Sequence, residues 1–163
     1  MNRKKFIAEA NNVINLEIKA LQKLKKSINN SFSEAVIKIA KCQSKVILCG
    51  VGKSGLIASK IAATLASVGT PSFSLAASEA SHGDLGMISK NDILIIISNS
   101  GQTNELKNII QFANRNKIFL IGIVSKKDSV LYKAADINLL IPQNKGLVFL
   151  HDYVSLIYTF FLH

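Results

Sequence analysis

The 163-residue sequence has no tryptophan, two prolines, two cysteines and three histidines. Cys42 and Cys49 are too few for a disulfide framework, and no ligand-rich spacing accompanies them. We expect reduced, buried or half-buried thiols, a cytoplasmic protein and no metal site. No apolar run approaches the roughly 18 residues of a membrane helix. The N-terminus, "MNRKKFIAEANNVINLEIKA", joins basic residues to no apolar core with a cleavage site, which argues against a secretory signal. Acidic residues are also scarce, ten against twenty Lys and Arg, for a net charge of +10. Residues 1–45 carry ten of those bases and only Glu9, Glu17 and Glu34. Lys19, Lys23 and Lys26 recur at helical spacing, as on a solvated helix face. No helix-turn-helix, aromatic-lined strand or zinc pattern accompanies the charge, so neither nucleic acid nor membrane is expected as a partner.

What is present is a folded domain. The hydrophobic fraction, 48%, is that of a chain able to bury a core. From Phe6 to Leu24 apolar residues recur with a period near 3.6, which predicts a helix over 4–27. "INNSFSE" interrupts it, and Ser33 is the expected N-cap of a second helix, Glu34 to Cys42. Short β-branched runs follow at Val46–Cys49, Ser72–Leu75, Asp92–Ile97, Phe119–Val124 and Ile137–Ile141. Helical stretches separate them: Leu56–Val68, a short piece near Glu79–His82, Asn104–Arg115 and Ser129–Ala135. Strands as apolar as "ILIII" must be buried on both faces, as in a parallel sheet sandwiched by helices. The alternation predicts an α/β fold with an open, doubly wound parallel sheet of about five strands, preceded by N-terminal helices. Ligands of such sheets sit beyond the carboxyl ends of the strands.

Two of those ends carry distinctive loops. In "CGVGKSGL", Gly50, Gly52 and Gly55 spell G-x-G-x-x-G, and Gly52-Lys53-Ser54 resembles the end of a P-loop. A P-loop needs a glycine five residues before Gly52, where Ile47 stands, so the nucleoside-triphosphate reading fails. A dinucleotide site wants an acid at the end of the next strand, and Glu79 arrives late. The second loop, "ISNSGQTNEL", places Ser98, Ser100 and Thr103 around a helix start, with Gly101 allowing a tight turn. Hydroxyls and backbone N–H groups there suit a terminal phosphate dianion, although the same residues also serve as ordinary helix caps. In "ASEASHGDLGM", His82 is a candidate acid or base, and Glu79, Asp84 and Glu105 are the carboxylates near strand ends. Glu105 lies one turn past the hydroxyls, positioned for a substrate carbon rather than for the phosphate.

"GVGKSGLIASKIAATLASVGTPSFSL", "EASHGDLGMI" and "SNSGQTNEL" together resemble the sugar isomerase (SIS) domain, a flavodoxin-like fold. Within it the chain is most similar to the arabinose-5-phosphate isomerases, including those encoded with capsule genes. The resemblance implies conversion of D-ribulose 5-phosphate to D-arabinose 5-phosphate through a cis-enediol, without cofactor, feeding lipopolysaccharide or capsule synthesis. It implies a homo-oligomer whose partner is a small-molecule sugar phosphate. Ser54, Ser98, Ser100 and Thr103 would then hold phosphate, with Lys53 stabilising charge and Glu105 the candidate base. His82 would assist ring opening or be supplied across a subunit interface. These resemblances divide the chain into a helical segment (1–45), a sugar-phosphate domain (46–145) and an atypical tail (146–163). In the tail, Gly146 replaces the family's glutamate, and "GLVFLHDYVSLIYTFFLH" replaces a Thr/Ser-rich stretch and a helix bearing a further histidine. A frameshift or gene split after Lys145 is the expected cause, with a marginal fold and impaired turnover as its expected consequences. The other readings are a non-catalytic sugar-phosphate-binding module and an inactive fragment.

Overall fold

Apolar spacing from Phe6 onward produces one long helix, α1 (Arg3–Ser27), in a computed structural model that describes residues 3–80 and 83–142. His82 and residues 146–163 therefore lie outside the described residues. The next helix, α2 (Asn30–Ala40), is capped by Asn29 rather than by Ser33. The Asn29 side chain accepts the Ser31 N–H at 2.9 Å, and its extended backbone turns the chain into the helix. Asn caps as well as Ser does, and its earlier position puts Ser33 inside the first turns of the helix.

The β-branched runs form five parallel strands: β1 (Val46–Gly50), β2 (Ser72–Ala76), β3 (Ile93–Ser98), β4 (Phe119–Val124) and β5 (Ile137–Leu140). Their spatial order is β2-β1-β3-β4-β5. Between them run α3 (Lys53–Ser67), α4 (Ala77–Ala80), α5 (Lys107–Asn116) and α6 (Val130–Ala134). Two 3-10 turns, Asp84–Met87 and Asn104–Leu106, complete the connections. The sequence pattern did not predict the first of these. Gly83, at φ +122°, opens it with a backbone conformation that side chains disfavour.

Side-chain alternation along the strands splits the core in two. Val46, Leu48, Ile93, Ile95, Ile97, Ile121 and Ile123 face α1, α2 and α3. Ile47, Cys49, Leu94, Ile96, Leu120 and Val124 face α5 and α6. Both faces of β1 and β3 are thus dry, which explains why these strands read as unbroken apolar runs. Burial pushes the Cys49 thiol up to about 12, despite a lowering backbone hydrogen bond at Gly50, and so keeps it protonated and inert.

The strand order reverses between β1 and β3. Gly50, the last residue of β1, is in register with Ala76 of β2 and Ile97 of β3. The loops leaving β1 and β3 therefore diverge over opposite faces of the sheet, opening a crevice at its carboxyl edge.

Candidate functional site at the strand-order switch

The first wall of the crevice is Gly50–Gly55. A Cβ on Gly50 would lie 2.7 Å from the Ser54 carbonyl carbon and oxygen, and one on Gly55 would lie 2.9 Å from the Gly50 oxygen. These two glycines let α3 press directly on the end of β1. Gly52 adopts φ 57° and ψ −125°, which only glycine adopts readily, and launches α3 at Lys53. The N–H groups of Ser54, Gly55 and Leu56 already donate to Val51 O, Gly52 O and Gly52 O. The spacing of these glycines therefore follows from helix–strand packing. Their loop offers fewer anion donors than the dinucleotide fingerprint suggests. Lys53 is exposed and Ser54 half-buried at the helix start.

The second wall leaves β3. Ser98 is buried at the strand end; its Oγ accepts the Gly101 N–H at 3.1 Å and lies 3.1 Å from Thr103 Oγ1. Ser100 Oγ accepts the Gln102 N–H at 3.3 Å. Gly101 sits at φ +64°, where an added Cβ would collide with the Ser129 side chain and come within 2.7 Å of Val124 Cγ2. Its carbonyl accepts the Leu131 N–H at 3.0 Å, while Ser125 donates both its N–H and its hydroxyl to Asn99 O. This loop is thereby fastened to the one following β4. Thr103 precedes the 3-10 turn without capping it, because its hydroxyl is turned to Ser98. The regular turns of α5 begin only at Lys107.

Beside the glycine wall lies a cleft of about 380 Å³, lined by Gly50, Gly52, Gly55, Leu56 and Ser59, by residues 74–78 at the end of β2, and by Glu105. Of the residues singled out from sequence, the three glycines and Glu105 line this cleft. Glu105, exposed in the 3-10 turn, thus faces the glycine loop across it. Ser98, Ser100, Gly101 and Thr103 form the adjoining loop, and Lys53 and Ser54 flank the glycine wall. Ser59 and Ser74 were not anticipated. Ser59 Oγ bonds Gly55 O at 3.1 Å and meets Ser74 Oγ at 3.0 Å. Helix periodicity already placed Ser59 one turn from Gly55, but its pairing with a β2 hydroxyl needed the fold. Among the described residues, no three His, Cys, Asp or Glu side chains converge as a metal site would require. No helix among them is long and apolar enough to cross a membrane.

Comparison with known proteins places this geometry in context. Residues 38–161 match the model of the SIS domain. The match runs past Lys145, where the sequence reading places the start of a departing tail. The arabinose 5-phosphate isomerase KdsD of Yersinia pestis is 50% identical over 129 residues, covering 79% of this chain and 39% of that protein. KdsD of Pseudomonas aeruginosa is 43% identical over 134 residues, covering 82% of this chain and 41% of that protein. The chain thus spans about two fifths of the length of these relatives. Among solved structures, the E. coli CFT073 protein c3406 in complex with arabinose 5-phosphate superposes with a TM-score of 0.90 at 34% identity. That superposition covers 99% of this chain and 92% of the other.

Proposed function

Because the chain belongs to the SIS domain family, we propose that it binds a sugar phosphate and interconverts D-ribulose 5-phosphate and D-arabinose 5-phosphate. The observation that carries the reading is the cleft at the strand-order switch, where Glu105 faces the glycine loop beside a loop rich in hydroxyls. The phosphate rests on the hydroxyls of Ser54, Ser98, Ser100 and Thr103. Its charge is favoured there by the start of α5. The Glu105 carboxylate removes the proton from the carbon beside the ketone, and the bonding electrons form the carbon–carbon double bond of a cis-enediol. The Lys53 ammonium offsets the negative charge that develops on the oxygen. The hydroxyl proton on the first carbon passes to the former ketone oxygen, and return of the carbon-bound proton from Glu105 to the former carbonyl carbon gives the aldose. Nothing is oxidised or reduced overall, so the reaction needs only a base, charge stabilisation and a phosphate grip. His82 would serve opening and closing of the aldose ring, in its own or a neighbouring subunit.

The test mixes the purified chain with D-ribulose 5-phosphate and follows the sugar by NMR, beside a Glu105→Gln control. New D-arabinose 5-phosphate signals that the control loses, with rate reduced at least ~100-fold, would support the isomerase. A second reading, a non-catalytic sugar-phosphate-binding module, needs only the hydroxyl-rich loop of Ser98, Ser100 and Thr103 and no base. It predicts broadened but unconverted substrate signals. Sharp, unchanged signals would overturn both readings.

A further inference from the structure

Hydrogen-bond direction divides the cleft from the loop beside it. In that loop Ser98 accepts the Gly101 N–H and Ser100 accepts the Gln102 N–H, so both hydroxyls keep a proton to give. Ser98 and Thr103 share one proton between their oxygens and retain the other. The β3 end therefore offers donors, as a phosphate dianion requires.

The α3–β2 side of the cleft is built the opposite way. Alternation along β2 turns Phe73 and Leu75 to the α5 face and Ser74 towards α3, where Ser59 follows Gly55 by one helical turn. Ser59 Oγ lies 3.1 Å from Gly55 O and 3.0 Å from Ser74 Oγ. A carbonyl only accepts, and each serine has a single hydroxyl proton. Both bonds form together only when Ser59 donates to Gly55 O and Ser74 donates to Ser59. Both protons are then used within the chain, while both oxygens keep lone pairs. The two residues are exposed, and both line the cleft. Their surroundings agree: the Ser54, Gly55 and Leu56 N–H groups are taken by Val51 O and Gly52 O, and the Glu105 carboxylate only accepts. A phosphate dianion finds no donor in the serine pair, whereas a sugar hydroxyl brings its own proton.

We propose that Ser59 and Ser74 form a hydroxyl-reading subsite, accepting hydrogen bonds from the sugar hydroxyls remote from the phosphate. The pair thereby fixes which way round a sugar phosphate enters the cleft, with its phosphate at the β3 loop and its carbon chain running past Glu105. The subsite rests on the sugar-phosphate reading above, and adds to it the side chains that tell a polyhydroxylated phosphate ester from phosphate alone.

The test titrates the full chain and its variants by calorimetry with D-arabinose 5-phosphate and, separately, with inorganic phosphate. Ser74→Ala should weaken the sugar phosphate on the order of fivefold and leave inorganic phosphate unchanged. Ser59→Ala/Ser74→Ala should deepen that loss to at least ~10-fold. Ser74→Thr keeps the oxygen and should restore the parent affinity. Both positions are exposed, so every variant should melt with the parent. A double variant that still prefers the sugar phosphate as the parent does would overturn the subsite and leave the sugar-phosphate reading standing. Equal losses for both ligands would also overturn it, because the pair would then serve the phosphate or the loop. So would a Ser74→Thr variant as weak as Ser74→Ala, which would assign the loss to packing. A parent chain that binds neither ligand would overturn the sugar-phosphate reading and the subsite with it.

Discussion

The two ends of β3 carry two of the three buried polar side chains among the described residues, Asp92 and Ser98, with opposite arrangements around them. Asp92, just before the strand, is saturated by its own chain. Its Oδ1 takes Ser44 Oγ at 2.5 Å and the Lys45 N–H at 3.2 Å, and its Oδ2 takes the Ser89 N–H at 2.7 Å, with Lys45 Nζ 3.5 Å away. Ser98, at the other end, meets the Thr103 hydroxyl in a loop that adjoins the cleft. The amino end of the sheet spends its polar groups on holding loops together. The carboxyl end spends part of them on its own loop, and on the proposed reading the rest serve a sugar phosphate. Mutations at the amino end should cost stability alone, and mutations at the carboxyl end should separate stability from binding.

The residue that joins the two roles is Gly101. Alanine there would combine an unfavourable φ of +64° with a collision against Ser129 and Val124, beside the bonds from Leu131 and Ser125 that fasten the loop. Gly101→Ala should destabilise the fold by about 3 kcal/mol and abolish sugar-phosphate binding together. Denaturant unfolding and a ligand titration on the same preparation check it. A variant that keeps both would mean that the loop is not fastened as described.

At the amino end, Asp92→Ala should cost about 2–3 kcal/mol by leaving the Lys45 and Ser89 N–H groups and the Ser44 hydroxyl without their acceptor. The ligand affinity of the folded fraction should be unchanged. Burial pushes the Asp92 carboxyl up, but the bonds from Ser44, Ser89 and Lys45 and the Lys45 charge outweigh it and hold the group below its ordinary value of 3.8. A carboxylate whose folded value is depressed stabilises the protein fully above its unfolded value and loses that contribution as pH falls through the folded one. Melting temperature should therefore drop as pH is lowered below about 4. Asp92→Asn should flatten that part of the curve, and an equally steep loss in the variant would assign acid sensitivity to other carboxylates.

This contrast was only partly legible in the sequence. Apolar runs identified all five strands: β1, β3 and β4 because both of their faces are buried, and the edge strands β2 and β5 from shorter runs that remain partly exposed. Ser98, Ser100, Thr103 and Glu105 were found as neighbours because they are neighbours in the chain. The Asp92 clamp escaped, since its partner Ser44 lies 48 residues away, as did the Ser59–Ser74 pair, which joins α3 to β2. The glycine loop combines a packing signal with a ligand signal. Its spelling suggests a phosphate, yet Gly50 and Gly55 are explained by the contact of α3 with β1, and three of the loop's N–H groups are already used. Sequence spacing records that a backbone must come close, but not to what.

A smaller effect is expected at Ser98, whose hydroxyl accepts the Gly101 N–H in a buried setting. Ser98→Ala should cost about 1 kcal/mol and also weaken binding, because the same oxygen shapes the loop and touches Thr103. Unfolding curves and phosphate titrations should both move, unlike those of Asp92→Ala.

Ser100 gives the cleanest separation and the smallest stability effect. It is half-buried, and its bond from the Gln102 N–H is 3.3 Å long in an exposed turn that water can serve. Ser100→Ala should therefore shift the melting free energy by no more than ~0.5 kcal/mol. If its hydroxyl donates to a phosphate dianion, the loss is that of a hydrogen bond to a charged group, or about a tenfold weaker affinity. Titration of the folded variant with D-arabinose 5-phosphate, read by calorimetry, measures this directly. A tenfold loss at constant stability would make the carboxyl end of β3 a binding edge distinct from the Asp92 end. A variant that melts earlier yet binds normally would mean that both ends of the strand use their polar groups alike, for structure, and that the phosphate grip must be sought elsewhere in the cleft.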